Sequence, residues 1–213
     1  MASRPPLKMV GDLPLIAYFA DNWENVENFQ AEEGDLLIDT YPKSGTTWMS
    51  EIVDLVLHDG ETKTSQRGAI FERVPFLEFA MPDMPTVSYG PWADHVKDFW
   101  KIRHQRDILY LFYEDMLEDP KREIRKVMKY IGKDLPEDVV EKIHQHTTFK
   151  AMKDNPMANY STIPSSIMDQ TISPFLRKGT WGDWMSHFTV AQIEVFDEYY
   201  KKEMSDTDLT FCF

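Results

Sequence analysis

The residues best equipped for chemistry lie in TYPKSGTTWM, Thr40 to Met49. Lys43 carries a full positive charge, Gly45 lets the backbone close tightly, and Ser44, Thr46 and Thr47 supply hydroxyl donors. An apolar run precedes them and helical spacing follows, so they fall where a helix begins. There the unpaired N–H groups and the helix dipole favour an anion. Such a segment either cradles a phosphate-like group or is an ordinary strand-to-helix turn. It is not the nucleotide loop G-x-x-x-x-G-K-[ST], because Lys43 precedes Gly45 instead of following a second glycine.

A second candidate is FLRKGTWGDW, Phe175 to Trp184, with Arg177 and Lys178 beside Gly179 among aromatic residues. A guanidinium fork suits phosphate oxygens, and glycine permits close backbone approach. Basic pairs in loops are also commonly just solvated, so this segment alone is a weak signal.

The elements that must hold these loops can be read from periodicity. GDLLIDTY, Gly34 to Tyr41, has the length and apolarity of a buried parallel strand. Trp48, Ile52, Leu55 and Val56 then recur at helical spacing up to His58, with Asp59-Gly60 as the stop. Pro75, Pro82 and Pro85 exclude a long helix in the segment that follows. From Trp92, the positions Val96, Phe99, Trp100 and Arg103 predict a helix with an aromatic stripe. DILYLFYEDM, Asp107 to Met116, reads as a second buried strand. Asp119-Pro120 opens a helix through Ile124, Val127, Met128 and Ile131, stopped by Gly132. LPEDVVEKIHQH opens another, and Thr189 caps a last amphipathic helix through Phe196, Tyr199 and Met204. Between them, Thr147 to Trp184 is a long stretch rich in Asn, Pro, Ser and Gly, of the kind that often carries function. The alternation is α/β, yet two strands are too few for a sheet covered by helices on both faces.

Composition limits the partners. A chain of 213 residues, 42% hydrophobic, supports one core and one domain. Lys+Arg 23 against Asp+Glu 36 argues against nucleic-acid or anionic-membrane binding, which needs an extended basic face. The single cysteine, Cys212, cannot form an internal disulfide, and no stretch approaches the roughly 18 apolar residues of a membrane span. A soluble cytoplasmic protein is the expectation.

YPKSGTTW near the N-terminus and RKGxxGDW near the C-terminus, with FYEDM, DPKREI, HTTF, NPMANY and MDQTISPFLRKG between them, resemble the phenol-type cytosolic sulfotransferases over nearly the whole chain. The resemblance implies an α/β, P-loop-kinase-like three-layer fold with a central parallel sheet. It also implies transfer of a sulfuryl group from PAPS, the activated sulfate donor, to a phenolic or other hydroxyl acceptor, without a metal. By position, Lys43, Ser44, Gly45, Thr46, Thr47 and Trp48 would surround the donor's 5′-phosphosulfate, with Lys43 stabilising the bridging oxygen. Tyr113 would lie near the adenine. Thr147, Thr148, Phe149, Lys150, Ala151 and Met152 would line the nucleotide pocket. Phe175, Leu176, Arg177, Lys178 and Gly179 would grip the 3′-phosphate, Arg177 foremost. Phe19, Phe76, Phe79, Tyr89 and Met168 match positions lining the acceptor pocket, though such aromatics equally suit core packing.

The chain departs from that pattern at residues 83–87, where Asp83 runs through Met84, Pro85 and Thr86 to Val87. The family ordinarily carries a long block there, with a K-T-H-L-P segment supplying the base histidine and a strand-helix stretch binding the 3′-phosphate. The expected protein is therefore a single domain, 1–213, missing central strands and weakened in catalysis. His95 and His104, soon after the junction, are the histidines considered as substitutes. In the family's dimer motif K-x-x-x-T-V-x-x-x-E, Thr189, Val190 and Glu194 are present, but Met185 replaces the lysine, so a homodimer would lack a charged contact. Three readings follow: an impaired sulfotransferase, a shortened isoform that binds nucleotide or a partner without turnover, and a nucleoside kinase, which the absent kinase motifs disfavour.

Overall fold

A computed structural model describes residues 6–77 and 91–211. Its frame is the helix α2 (Thr46–Leu57) laid against α6 (Pro120–Ile131) and α7 (Glu137–His146). Apolar residues on adjacent turns make that packing. Ile52, Leu55 and Val56 of α2 meet Ile124, Val127 and Met128 of α6 and Val140 and Ile143 of α7 in one buried cluster. Each such side chain contributes about 1.5–3 kcal/mol when fully removed from water.

The other described elements are β1 (Leu7–Val10), β2 (Leu13–Ile16), α1 (Ala17–Glu27), α3 (Ile70–Arg73), α4 (Trp92–Ile102), α5 (Tyr113–Glu118), α8 (Phe149–Asp154) and α9 (Val190–Glu203). Short 3₁₀ turns lie at Thr64–Gln66 and Asp183–Ser186. The helix signals act as their chemistry predicts. The Asp119 carboxylate accepts from the Arg122 amide at 3.0 Å to start α6, which stops at Gly132. Thr189 and Gln192 form a reciprocal capping box on α9.

The two predicted strands do not form ladders. Residues 35–41 run without strand pairing, as do 108–112, and Tyr113 to Met116 belong instead to α5. A strand exists only through a neighbour about 4.7–4.9 Å away, and among the described residues neither run has one. Both still enter the core: Ile38, Leu109 and Leu111 pack against the α2–α6–α7 cluster. Leu37 is 71% exposed, so the opposite face of its run lacks the cover a buried strand requires. The described sheet is an N-terminal antiparallel hairpin that periodicity did not reveal, with Leu7 opposite Ile16 and Val10 opposite Leu13.

Buried charge braces α2 from within. Arg73 on α3 donates to the carboxylates of Glu51 and Asp54, and Arg67 adds a bond to Asp54 at 2.5 Å. Arg73, Glu51 and Asp54 have side chains 2%, 1% and 4% exposed. Burial pushes the Glu51 carboxyl up, against the pull of Arg73. Asp54 also feels burial, but its bonds to Arg67 and Arg73 outweigh it and hold the carboxyl below its ordinary value.

A separate cluster joins Ala93 and Val96 of α4 to Met204 and Leu209, with Trp92, Trp100 and Phe112 at its edge. On α9 no residue is buried: Val190, Val195 and Tyr199 are 72%, 68% and 47% exposed. The last helix therefore forms as predicted, while Phe196 and Tyr199 stay 36% and 47% exposed and Met204 is buried. No helix among the described residues is long and apolar enough to cross a membrane.

Candidate functional site

The loop before α2 is built by local geometry. The Ser44 amide donates to the Tyr41 carbonyl at 3.1 Å, Lys43 takes a left-handed φ of 68°, and Gly45 follows at φ 104° as the residue before the helix. A side chain at Gly45 would be strained, and its Cβ would stand 3.0 Å from the Tyr113 ring. Thr40 and Thr46 share a hydrogen bond between their hydroxyls, tying the incoming run to the first helical turn. The first amides of α2 therefore sit at a helix start that carries no side-chain cap, as an anion cradle requires.

Sequence separation disappears at this point. Lys43 Nζ donates to the Phe175 carbonyl at 3.2 Å and lies 4.1 Å from the centre of its ring, joining positions 132 residues apart. Phe175 stacks on Tyr160 at 3.9 Å, and the Tyr160 hydroxyl is hydrogen-bonded to Thr47. Burial pushes the Tyr160 phenol up, while the Thr47 bond pulls it down. Burial lowers the Lys43 ammonium, and the Arg177 charge lowers it further, an effect that a nearby anion would offset.

The remaining predicted donor-site residues divide. Trp48 meets Tyr113 edge to face at 5.7 Å, and its indole Nε1 is buried without a hydrogen-bond partner among the described residues. Gly179, at φ 68°, lies on Phe149: a Cβ there would come within 2.5 Å of the ring's Cγ, so the two segments fit only with glycine. Thr147 is 2% exposed and donates its hydroxyl to the Ile143 carbonyl at 2.9 Å, ending α7. Thr148 accepts from the Ala151 amide to start α8, Met152 is buried, Ala151 is half-buried and Lys150 is exposed. Leu176 is half-buried, while Ser44 and Lys178 face solvent.

Arg177 and Lys178 both donate to Asp183, Arg177 Nη1 at 2.5 Å, and His187 approaches the same carboxylate at 3.1 Å. Lys178 first, and Arg177 with it, holds the Asp183 carboxyl well below the usual carboxylate range. Tyr160, Gln170 and Asp183 lie in the motifs NPMANY, MDQTISPFLRKG and RKGxxGDW, but residue type and spacing assign none of them a part. The Gln170 side-chain oxygen accepts from the Phe175 amide at 3.3 Å while its amide nitrogen donates to the Asn159 carbonyl. The positive φ of 62° at Tyr160 is visible only in three dimensions.

Of the predicted acceptor-side residues, Phe19 is 4% exposed and packs with Leu15, Val10, Ala20 and Trp23 beneath the hairpin. Phe76 and Met168 are half-buried. Phe79 and Tyr89 lie outside the described residues, as does Cys212. Among the described residues no group of His, Cys, Asp or Glu has metal-binding geometry.

A loop carrying Lys43 just before a helix start thus meets a second basic loop on this helical frame. The sulfotransferase domain family matches residues 33–86 and 84–208, two stretches that meet at 84–86. Sulfotransferase 1A1 of Canis lupus familiaris is 41% identical over 284 aligned positions, covering 98% of this chain and 96% of that protein. Sulfotransferase 1C2 of Rattus norvegicus is 40% identical over 287 positions, covering 100% and 97%. This chain belongs to the sulfotransferase family. Among solved structures, retinol dehydratase in complex with androsterone and inactive cofactor PAP superposes with a TM-score of 0.77, at 17% identity, over 93% of this chain and 88% of that one. Mouse sulfotransferase SULT7A1 complexed with PAP gives 0.68, at 20% identity, over 95% and 96%. The fold is thus the P-loop-kinase-like α/β fold of those proteins, present here without central strands among the described residues.

Proposed function

We propose that this chain binds PAPS between the Lys43 loop and the Arg177 loop, and transfers its sulfuryl group to a phenolic or other hydroxyl acceptor at a reduced rate. The observation that carries the reading is the contact of Lys43 with Phe175. It brings the two basic loops to one spot in a chain of net charge −13, where scattered cations would not suffice. The buried, unpartnered indole N–H of Trp48 is a donor that a bound nucleotide would satisfy.

The donor supplies an activated sulfuryl group on a phosphate leaving group. Lys43, placed with the first amides of α2, stabilises negative charge on the bridging oxygen as that bond breaks. Arg177 and Lys178 hold the second phosphate, exchanging part of their bond to Asp183 for it. Phe175 and Tyr160 fix the distance between the two charge sites.

The lowered rate is attributed to an internal shortening of one sulfotransferase domain near 83–87. Three observations support it: the family match falls into two stretches meeting at 84–86, the relatives align over more than 280 positions, and Leu37 and the α9 face are uncovered. The second reading, nucleotide binding without turnover, shares the first half of this account. A homodimer through Thr189, Val190 and Glu194 would rest on apolar contact, since Met185 supplies no charge. The test has two arms. PAP raises the melting temperature of the folded protein, and Lys43→Ala or Arg177→Ala abolishes the rise. Labelled sulfate passes from PAPS to a simple phenol slowly; no transfer with an intact PAP response selects the binding-only reading, and no PAP response overturns both.

A further inference from the structure

Transfer to a hydroxyl releases a proton, and a positioned base accelerates that step by roughly 10²- to 10⁴-fold. Among the described residues most histidines are engaged elsewhere. His58 binds the Asp54 carbonyl at 2.7 Å, at the far end of α2, about 18 Å of helix from the loop. His146 is held to the Ser65 hydroxyl at 3.1 Å, His187 to Asp183, and His104 lies beside Asp208. His144 lies on α7, which packs against the opposite end of α2.

His95 differs. It sits on the first turns of α4, and its ring packs on Tyr41 at 5.7 Å and on Phe99 at 5.2 Å. Its Nε2 faces the Asp39 carboxylate at 3.6 Å. Asp39 and Tyr41 belong to the run that enters the Lys43 loop, and Tyr41 is only about 7 Å of chain before Lys43. At 3.6 Å the carboxylate is beyond hydrogen-bond distance, but its charge favours a proton on Nε2, which leaves the Nδ1 lone pair as acceptor. Nδ1 has no partner among the described residues, and the side chain is 28% exposed, so the ring is held yet reachable.

We propose that His95, oriented by Asp39, is the proton acceptor for the hydroxyl substrate. The inference rests on the sulfotransferase reading above. The acceptor O–H gives its proton to His95 Nδ1 while its oxygen forms the new bond to sulfur. The bond from sulfur to the bridging phosphate oxygen breaks, and its electron pair stays on that oxygen beside Lys43. The proton then leaves the imidazolium to water.

The test uses the full chain with PAP bound and 4-nitrophenol as probe, whose absorbance reports its ionisation whether or not transfer occurs. At a pH below the phenol's own midpoint, the wild type ionises bound 4-nitrophenol, and His95→Asn loses that signal by about 10-fold or more while keeping its PAP melting shift. With PAPS, His95→Asn lowers transfer to unsubstituted phenol more than to 4-nitrophenol, because the more acidic phenol needs a base least. Asp39→Asn gives an intermediate loss, and His104→Asn changes nothing. A His95→Asn protein that keeps the PAP shift and the nitrophenolate signal overturns the assignment alone. Failure of the wild type to respond to PAP overturns the sulfotransferase reading with it.

Discussion

Replacing Arg73 by alanine exposes the charge network on which α2, and therefore the Lys43 loop, is mounted. The guanidinium donates to Glu51 and Asp54, and all three side chains are at most 4% exposed. Deleting the cation leaves Glu51 as a buried carboxylate without a partner. Breaking a buried pair this way costs about 3–5 kcal/mol, against a total stability of about 5–15 kcal/mol. With a urea slope of about 2 kcal/mol/M, the midpoint falls by about 1.5–2.5 M. Arg67→Ala is the control: its side chain is 40% exposed and Asp54 keeps Arg73, so the loss is about 0–1 kcal/mol. The pH dependence has a definite sign. Glu51 is raised by burial, and without Arg73 it rises further, so the variant recovers relative to wild type as pH falls and Glu51 takes a proton. Asp54 works oppositely: its contribution is present above the ordinary Asp value and is lost as pH falls through its lowered folded value. Urea titrations of wild type, both variants and Arg73→Met/Glu51→Gln at pH 7 and pH 5 measure these differences. A cost for Arg73→Ala below about 1 kcal/mol, or one equal to that of Arg67→Ala, would refute the reasoning.

Two further outcomes follow from the loops themselves. Gly179→Ala, at a φ of 68° and against the Phe149 ring, loses about 1–2 kcal/mol from backbone strain alone and weakens the PAP melting shift, as calorimetry with and without PAP will measure. Asp183, held low by Lys178 and Arg177, contributes stability above the ordinary Asp value that is lost as pH falls through its depressed folded value. Its carboxyl carbon in an NMR titration therefore shows no protonation step between about pH 3.5 and 5.

Local rules made most helices legible. Asp119-Pro120 and Gly132 bound α6 because a side-chain cap and a proline at the first turn act over three or four residues. Thr189 starts α9 for the same reason. The Lys43 loop was readable as a helix start rich in lysine, glycine and hydroxyls, residue types that suit an anion, although local order alone does not separate such a loop from an ordinary turn. The strands were not, since pairing is a property of two segments: Leu36, Leu37 and Ile38 read as a strand, yet without a neighbour they form none. Phe19 shows the same limit, since an aromatic suits a pocket or a core equally, and only the fold places it against Leu15 and Trp23 beneath the hairpin.

By itself the sequence determined where α2, α4, α6, α7 and α9 run, the two basic loops and, through its motifs, the family. Tertiary structure alone decided that Lys43 meets Phe175, that Tyr160 spans from Phe175 to Thr47, that Asp183 takes both Arg177 and Lys178, and that His95 faces Asp39. The division has a physical cause. Capping, turn and periodicity energies act within a few residues and are written in local order. Charge pairing and ring contact depend on distances of a few ångströms between segments that only the folded core brings together.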